Sequence, residues 1–308
     1  FYGIQYNLLS ANDKLNGDIY LFNSNDPVHT SNHWAHGTSL RYNTRKFFAF
    51  WSHEYIGENF VAEMGFFPRT GYFNFGPFFR YNFFPESKTI NRHGPGFRSR
   101  YYLDQTWDLT DRESALSYRI NFLNSSELEL EIQDTYIRLF ADFDPTRSGD
   151  ASVVPLPIGG EYNWQALNLS YQSDTRKDFS FDIEAGYGGF YNGNGLNISG
   201  GFRYRIRPLF NLTFSYTYNK IDLPDPYPSA SFWLIGPRID LTFTDKIYWT
   251  NFIQYNEQTN NINFNSRFQW RFAPVSDLFL VYTENYLPDG LKTKNRGVIL
   301  KISYWINI

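Results

Sequence analysis

The sequence contains no cysteine and a single methionine. Without thiols it can build no disulfide framework and no thiolate metal site. Long apolar runs are also missing. The longest stretches made only of apolar side chains are about five residues, as at Phe47 to Trp51. A membrane-crossing helix needs about twenty, so a helical membrane protein is excluded, in keeping with a mean hydropathy of −0.47. Charge is nearly balanced, with 28 Lys and Arg against 31 Asp and Glu. No basic tract or stripe offers a nucleic-acid footprint. There is no repeat of fixed period, which argues against a soluble propeller or solenoid, the runner-up fold.

What the chain has in quantity is aromatic side chains, at 20 % of residues, with 31 Phe and 24 Tyr. They alternate with polar residues. Ile262, Phe264, Phe268, Trp270 and Phe272 fall on one face of a strand; Asn263, Asn265, Arg267, Gln269 and Arg271 fall on the other. Successive strand residues point to opposite faces, so such a segment has one apolar and one wet side. The same rhythm runs through Phe179 to Tyr187, Leu196 to Ile206 and Leu212 to Tyr218. Segments of ten or more residues are long for a soluble strand but suit a tilted crossing of a bilayer. A soluble sandwich would bury mostly aliphatic residues between its sheets. Here the wet face repeatedly carries Arg, Asp and Glu, as a water-filled lumen allows.

Connection lengths alternate as well. Short turns are expected at Asn43 to Arg45, Pro85 to Lys88, Asn124 to Ser126, Ser173 to Arg176, Arg207-Pro208, Thr244-Asp245 and Ala273 to Val275. Longer loops are expected at Asn23 to Asn32, Ile56 to Thr70, Asp142 to Gly160, Lys220 to Ser231 and Asn285 to Asn295, with two short exceptions at Thr110 to Arg112 and Tyr191 to Asn194. Short periplasmic turns and long extracellular loops are the outer-membrane pattern. The expected fold is therefore all-β: an antiparallel, up-and-down transmembrane β-barrel of about seventeen strands spanning residues 1–308, closed so that no backbone edge meets lipid. This places the C-terminus in the periplasm and Phe1 outside. Exported barrels begin in the periplasm with an even strand number. Eighteen or more strands are accordingly expected in the full protein, with upstream strands and an export signal beyond this chain.

Three segments carry a resemblance. Ile56-Gly57-Glu58-Asn59-Phe60-Val61-Ala62-Glu63-Met64-Gly65-Phe66-Phe67-Pro68-Arg69 is similar to an IG-x-x-F-x-x-x-x-GF-x-PR stretch. With it go Phe243-Thr244-Asp245-Lys246 followed by Phe252 to Asn256, and Asn265 to Phe272 followed by Asp277 to Tyr282. Together they resemble a Bacteroidota family of large outer-membrane proteins that join an N-terminal carbohydrate-binding module of the family-9 type to a C-terminal barrel. The resemblance covers most of the chain. It implies a barrel that anchors a binding module or a partner in a larger surface assembly linked to glycan or protein handling. It implies no catalytic residues. Separately, Asn295, Gly297, Leu300 and Ile302 fit the polar-x-Gly-x-x-apolar-x-apolar signal read by the barrel-assembly machinery, although Tyr304 and Trp305 are followed by three further residues.

Candidate chemistry lies mainly in the lumen. Arg80, Arg98, Arg100, Arg119, Arg238, Arg267 and Arg271 fall on inward columns, as do Asp104, Asp108, Glu129, Glu131 and Asp240. A hairpin tip near Asn192-Gly193 would set Asp182 opposite Arg203, with Glu184 and Arg205 alongside. These charges form either an eyelet that selects solutes or a wall of mutually neutralising pairs. The loop Gly57 to Thr70, with Phe60, Met64, Phe66, Phe67 and Arg69, carries apolar residues that require burial; it is expected either to fold into the barrel mouth, where it would constrict the pore, or to meet a partner. The five histidines form no metal set: His33 and His36 are three apart, and His53-Glu54 are strand neighbours facing opposite ways. Asp144 to Asp150 has calcium-like spacing but reads as a surface loop. Tyr162, Trp164, Tyr227 and Trp233 read as an interfacial girdle before they read as sugar platforms. No cofactor site is legible. The expected partners are outer-membrane lipid and lipopolysaccharide, the barrel-assembly machinery and outer-membrane proteins. The leading function is a non-catalytic subunit or anchor; the alternatives are a diffusion channel or gated pore, and then a membrane-embedded hydrolase.

Overall fold

The computed structural model describes residues 1–24, 31–61, 69–147, 149 and 152–306. Its strands are β1 (Tyr2–Leu9), β2 (Leu15–Asn23), β3 (Trp34–Asn43), β4 (Phe47–Ile56), β5 (Tyr72–Tyr81), β6 (Ile90–Asp104), β7 (Leu109–Phe122), β8 (Glu127–Arg138) and β9 (Glu161–Gln172). They continue as β10 (Phe179–Phe190), β11 (Gly193–Ile206), β12 (Phe210–Asp222), β13 (Ala230–Thr242), β14 (Ile247–Asn256), β15 (Asn261–Ala273), β16 (Ser276–Leu287) and β17 (Lys292–Ser303). One 3-10 turn, Asp289–Leu291, precedes β17. Each strand pairs antiparallel with the next in sequence, from β1 with β2 through to β16 with β17. The all-β, up-and-down, seventeen-strand fold is thus the observed one.

Curvature is visible in the side chains. On the polar face, contacts skip strands: Arg98 on β6 reaches Glu131 on β8, and Arg80 on β5 reaches Glu129 on β8. Side chains converge in this way only on the concave side of a curled sheet. The convex face is apolar. Trp51, Leu130, Ile132, Leu167, Leu169, Ile183, Trp249, Ile253, Trp270 and Leu280 all lie on it, large and exposed. A soluble monomer rarely shows apolar patches above a few hundred Å²; a barrel wall facing lipid must.

Among the described residues the seventeen strands form one sheet with β1 and β17 at its two ends. Among the described residues no ladder joins β1 to β17. Each pairs on one side only, and side chains on both are open, with Ile4 74 % and Val298 68 % exposed. An odd number of alternating strands leaves both edges running the same way, from the long-loop rim to the short-turn rim, so they cannot complete an antiparallel ladder with each other.

The turns explain why the strands stop where they do. Asx turns recur: Asn12, Asp104, Asn124, Asp144 and Asp174 each accept the backbone N–H two residues on, at 2.9 to 3.1 Å. This geometry mimics a backbone turn and ends the ladder. Several expected boundaries move. The β6–β7 turn is 105–108, not Thr110 to Arg112, which places Asp108 in the turn instead of on the wall. Strands also run further into the last long loop, leaving only 288–291 between β16 and β17.

Candidate functional site: the concave wall and its mouth

The wall of β5 to β8 carries two ion-pair clusters. Arg119 pairs with Glu129 at 2.6 Å and with Glu127 at 3.2 Å. Arg80 takes the other oxygen of Glu129 at 3.5 Å. Arg98 pairs with Glu131 at 2.9 Å and also with Glu113. The cause is register: Arg119 faces Glu129 directly across β7–β8, so the odd positions of both strands form one charged column set. Opposite charges on one face of a strand pair attract, and planar guanidinium forks suit two carboxylates at once.

Elsewhere the expected lumenal charges behave differently. Arg238 folds back on Asp240 of its own strand at 2.9 Å, and Arg271 pairs with Asp277 at 3.3 Å. Arg205 donates to the carbonyls of Thr175 and Lys177, both at 2.6 Å, tying the wall to a short turn. Glu184 accepts from Ser199 at 3.4 Å. The expected pairing of Asp182 with Arg203 is corrected: Asp182 faces Gly201 and Arg203 faces Ser180. The tip is Tyr191-Asn192, with Tyr191 at φ +52, one residue earlier than the Asn192-Gly193 tip. A one-residue shift of the tip moves the partner by two, which keeps the faces and changes the pairs. Arg100, Arg203, Arg267 and Asp182 have no ion-pair partner among the described residues.

At the long-loop rim two segments turn inward. Phe60 is 4 % exposed and joins Ala35, Ile56 and Tyr72 in a buried cluster against Phe22 and Tyr102. Arg69 ends the same loop. Its guanidinium lies 3.3 Å from Asp111 and over the rings of Tyr72, Tyr102 and Phe140, at 5.8, 5.7 and 5.4 Å. Met64, Phe66 and Phe67 lie outside the described residues. Phe140 begins the second segment, 139–160, in which Leu139 and Leu156 are buried. From its far end Thr146 offers its carbonyl to Gln258 Nε2 at 2.9 Å. Thr146 connects β8 to β9 whereas Gln258 connects β14 to β15, so this bond crosses the mouth. Nearby in the chain, Phe143 and Trp164 lie tilted against Tyr191, with ring centres at 5.5 and 5.0 Å.

The remaining candidates are placed as follows. Inward Asn295 accepts from Asn285 at 2.7 Å. Gly297 also faces inward, opposite Thr283, while Leu300 and Ile302 face out from the open edge. His36 and His53 meet on the convex face, 5.7 Å apart, and Glu54 faces the other way, accepting from Tyr20 at 2.8 Å and from Tyr72. Asp144 holds Thr146 in its Asx turn. Trp233 faces out beside Tyr218, whereas Tyr162 and Trp164 belong to the inner ring cluster. Among the described residues no group of three or more His, Asp or Glu is placed to hold a metal. Sequence reasoning missed Arg41 and Glu113, which face the same lumen. Their columns are set by the partners Ser39↔Ser52 and Arg98↔Ala115, and the alternation of β3 and β7 could have revealed them.

No family model matches the chain, and no curated protein matches it. Among solved structures it is similar to a ferric enterobactin receptor of Pseudomonas aeruginosa, in the form carrying G324V. That likeness has 10 % identity and a TM-score of 0.42, and covers 97 % of this chain and 68 % of the receptor chain.

Proposed function

We propose that the chain is the wall of an outer-membrane barrel whose lumen is a solute path gated at the long-loop rim. The observation that carries this reading is a set of contacts made across the long-loop rim. Arg69 links the loop ending at residue 70 to the segment 139–160, which itself reaches Gln258 on the other side. Beneath lies a polar, ion-paired wall, and outside it an apolar belt. In this reading the belt contacts lipid and, on the outer side, lipopolysaccharide. Long loops face the exterior, the C-terminus faces the periplasm, and β17 is the strand read by the assembly machinery. The protein is a non-enzymatic passage. Deleting Glu58 to Gly65 should raise single-channel conductance in planar bilayers at least twofold. Unchanged conductance would reject the gate, and a polypeptide that stays dispersed without detergent would reject the membrane placement.

A second reading is a non-catalytic subunit or anchor of a larger outer-membrane assembly, supported by the balanced, ion-paired charge of the concave wall. Purification of the full protein in mild detergent, followed by mass spectrometry, separates the two. A stoichiometric companion supports the anchor, and a lone conducting species supports the path.

A further inference from the structure

The structure assigns to the concave wall of β3 to β7 a binding site for a small organic anion with a flat apolar body. A cavity of about 410 Å³ opens here, lined by Arg41, Phe48, Phe50, Phe78, Arg98 and Arg100, with Glu113 as its one carboxylate. Arg98 is saturated, since it binds both Glu113 and Glu131. Arg100 faces Glu113 directly across the β6–β7 pair, yet the carboxylate turns to Arg98. Arg100 and Arg41 therefore present exposed guanidiniums with no acidic partner among the described residues. Arg41 lies 5.9 Å from the centre of the Phe50 ring. A stacked guanidinium keeps its N–H edge free to fork onto an oxyanion. Phe48 and Phe78 meet edge to face, 5.5 Å apart, giving an apolar floor on the same wall. Gly76, paired with Ser52, lines the same cavity, and a Cβ there would crowd the Ser99 carbonyl oxygen at 3.2 Å.

Two uncompensated cations beside three phenyl rings recognise an anionic head on an aromatic body better than either alone. Bare inorganic anions gain nothing from the rings, and neutral aromatics gain only stacking from the arginines and no charge-assisted hydrogen bond. This contrasts with the cavity on the β8–β11 wall, whose lining holds Glu129, Glu131 and Glu184 and no arginine or lysine to receive the same solute. The site deepens the solute-path reading by naming a solute class. It is tested by equilibrium binding, which does not require passage.

The probes are 4-fluorobenzoate and 4-fluorophenyl phosphate, with 4-fluorobenzamide as the neutral control, followed by fluorine NMR on the full chain in detergent against a detergent blank. Saturable binding of at least one anion is expected, at least tenfold tighter than the amide; which head binds better distinguishes carboxylate from phosphate. The double variant R41Q/R100Q should lose at least tenfold in affinity while keeping the urea midpoint of the parent. R267Q, which removes an unpaired arginine elsewhere on the wall, should change nothing. Equal binding of the amide, or an equal loss in R267Q, overturns the site. Anion binding without flux in vesicles leaves the site standing and removes the path; flux without binding does the reverse.

Discussion

The Arg69 guanidinium carbon lies 5.4 Å from the centre of the Phe140 ring while Nη1 sits 3.3 Å from Asp111. One side chain thus binds two mouth segments to the wall of β7. A guanidinium over an aromatic face contributes about 0.5–2 kcal/mol depending on desolvation. With Arg69→Ala both segments should loosen together. Limited proteolysis should cut within 57–70 and 139–160 several times faster than in the parent, with the strands intact. Cleavage confined to one segment would show that Arg69 does not couple them.

The convex belt makes a directional claim. Leu280 faces out from the middle of β16 and Phe279 faces in. Leu280→Arg should destabilise the protein by about 2–4 kcal/mol, the usual penalty for a cation near the bilayer midplane of a barrel. Phe279→Arg, toward the wet interior, should cost less than half as much. Urea unfolding from lipid vesicles measures both, and equal penalties would invert or abolish the assignment of faces.

Glu129 is shared between Arg119 and Arg80, so its removal strands Arg80 on a half-buried wall and leaves Arg119 with Glu127 alone. Glu129→Ala should cost about 1–3 kcal/mol, as expected when a charged hydrogen-bond partner is lost. Glu113→Ala, at a more open position, should cost well under half of that. A double-mutant cycle of Glu129 with Arg119 should give a coupling several times that of Glu113 with Arg98.

In the short turn 173–178, the Arg176 guanidinium, together with its backbone N–H, holds the Asp174 carboxyl down to about 2 from an ordinary 3.8. A depressed acid stabilises the fold fully above its unfolded value, and that contribution disappears as pH falls through the folded one. Asp174→Asn should therefore lower the urea midpoint at pH 7. The gap between variant and parent should close between about pH 4 and pH 2. A gap that persists unchanged to pH 2 would mean the turn owes nothing to the ionised carboxylate.

Much of the architecture is legible in alternation alone. Period-two patterning in segments such as Ile262 to Phe272 fixes which residues face lipid, because burial on one side tolerates no one-residue slip. Pairing partners are less legible. Alternation gives the face of Asp182, but its neighbour depends on whether the chain reverses at Tyr191 or Asn192, and a tyrosine at positive φ is an uncommon turn residue that local rules pass over. The mouth was readable only through the apolar content of Phe60, since the reach of Thr146 to Gln258 joins residues 112 apart. The free state of Arg100 was not legible at all: it follows from Glu113 choosing Arg98, a competition between neighbours on one face that spacing cannot rank.

The reach from Thr146 to Gln258 has a consequence for how the rim can move. A tether between two connections on well-separated strands lets neither swing outward alone without breaking it. Displacement on one side of the opening is therefore felt on the other.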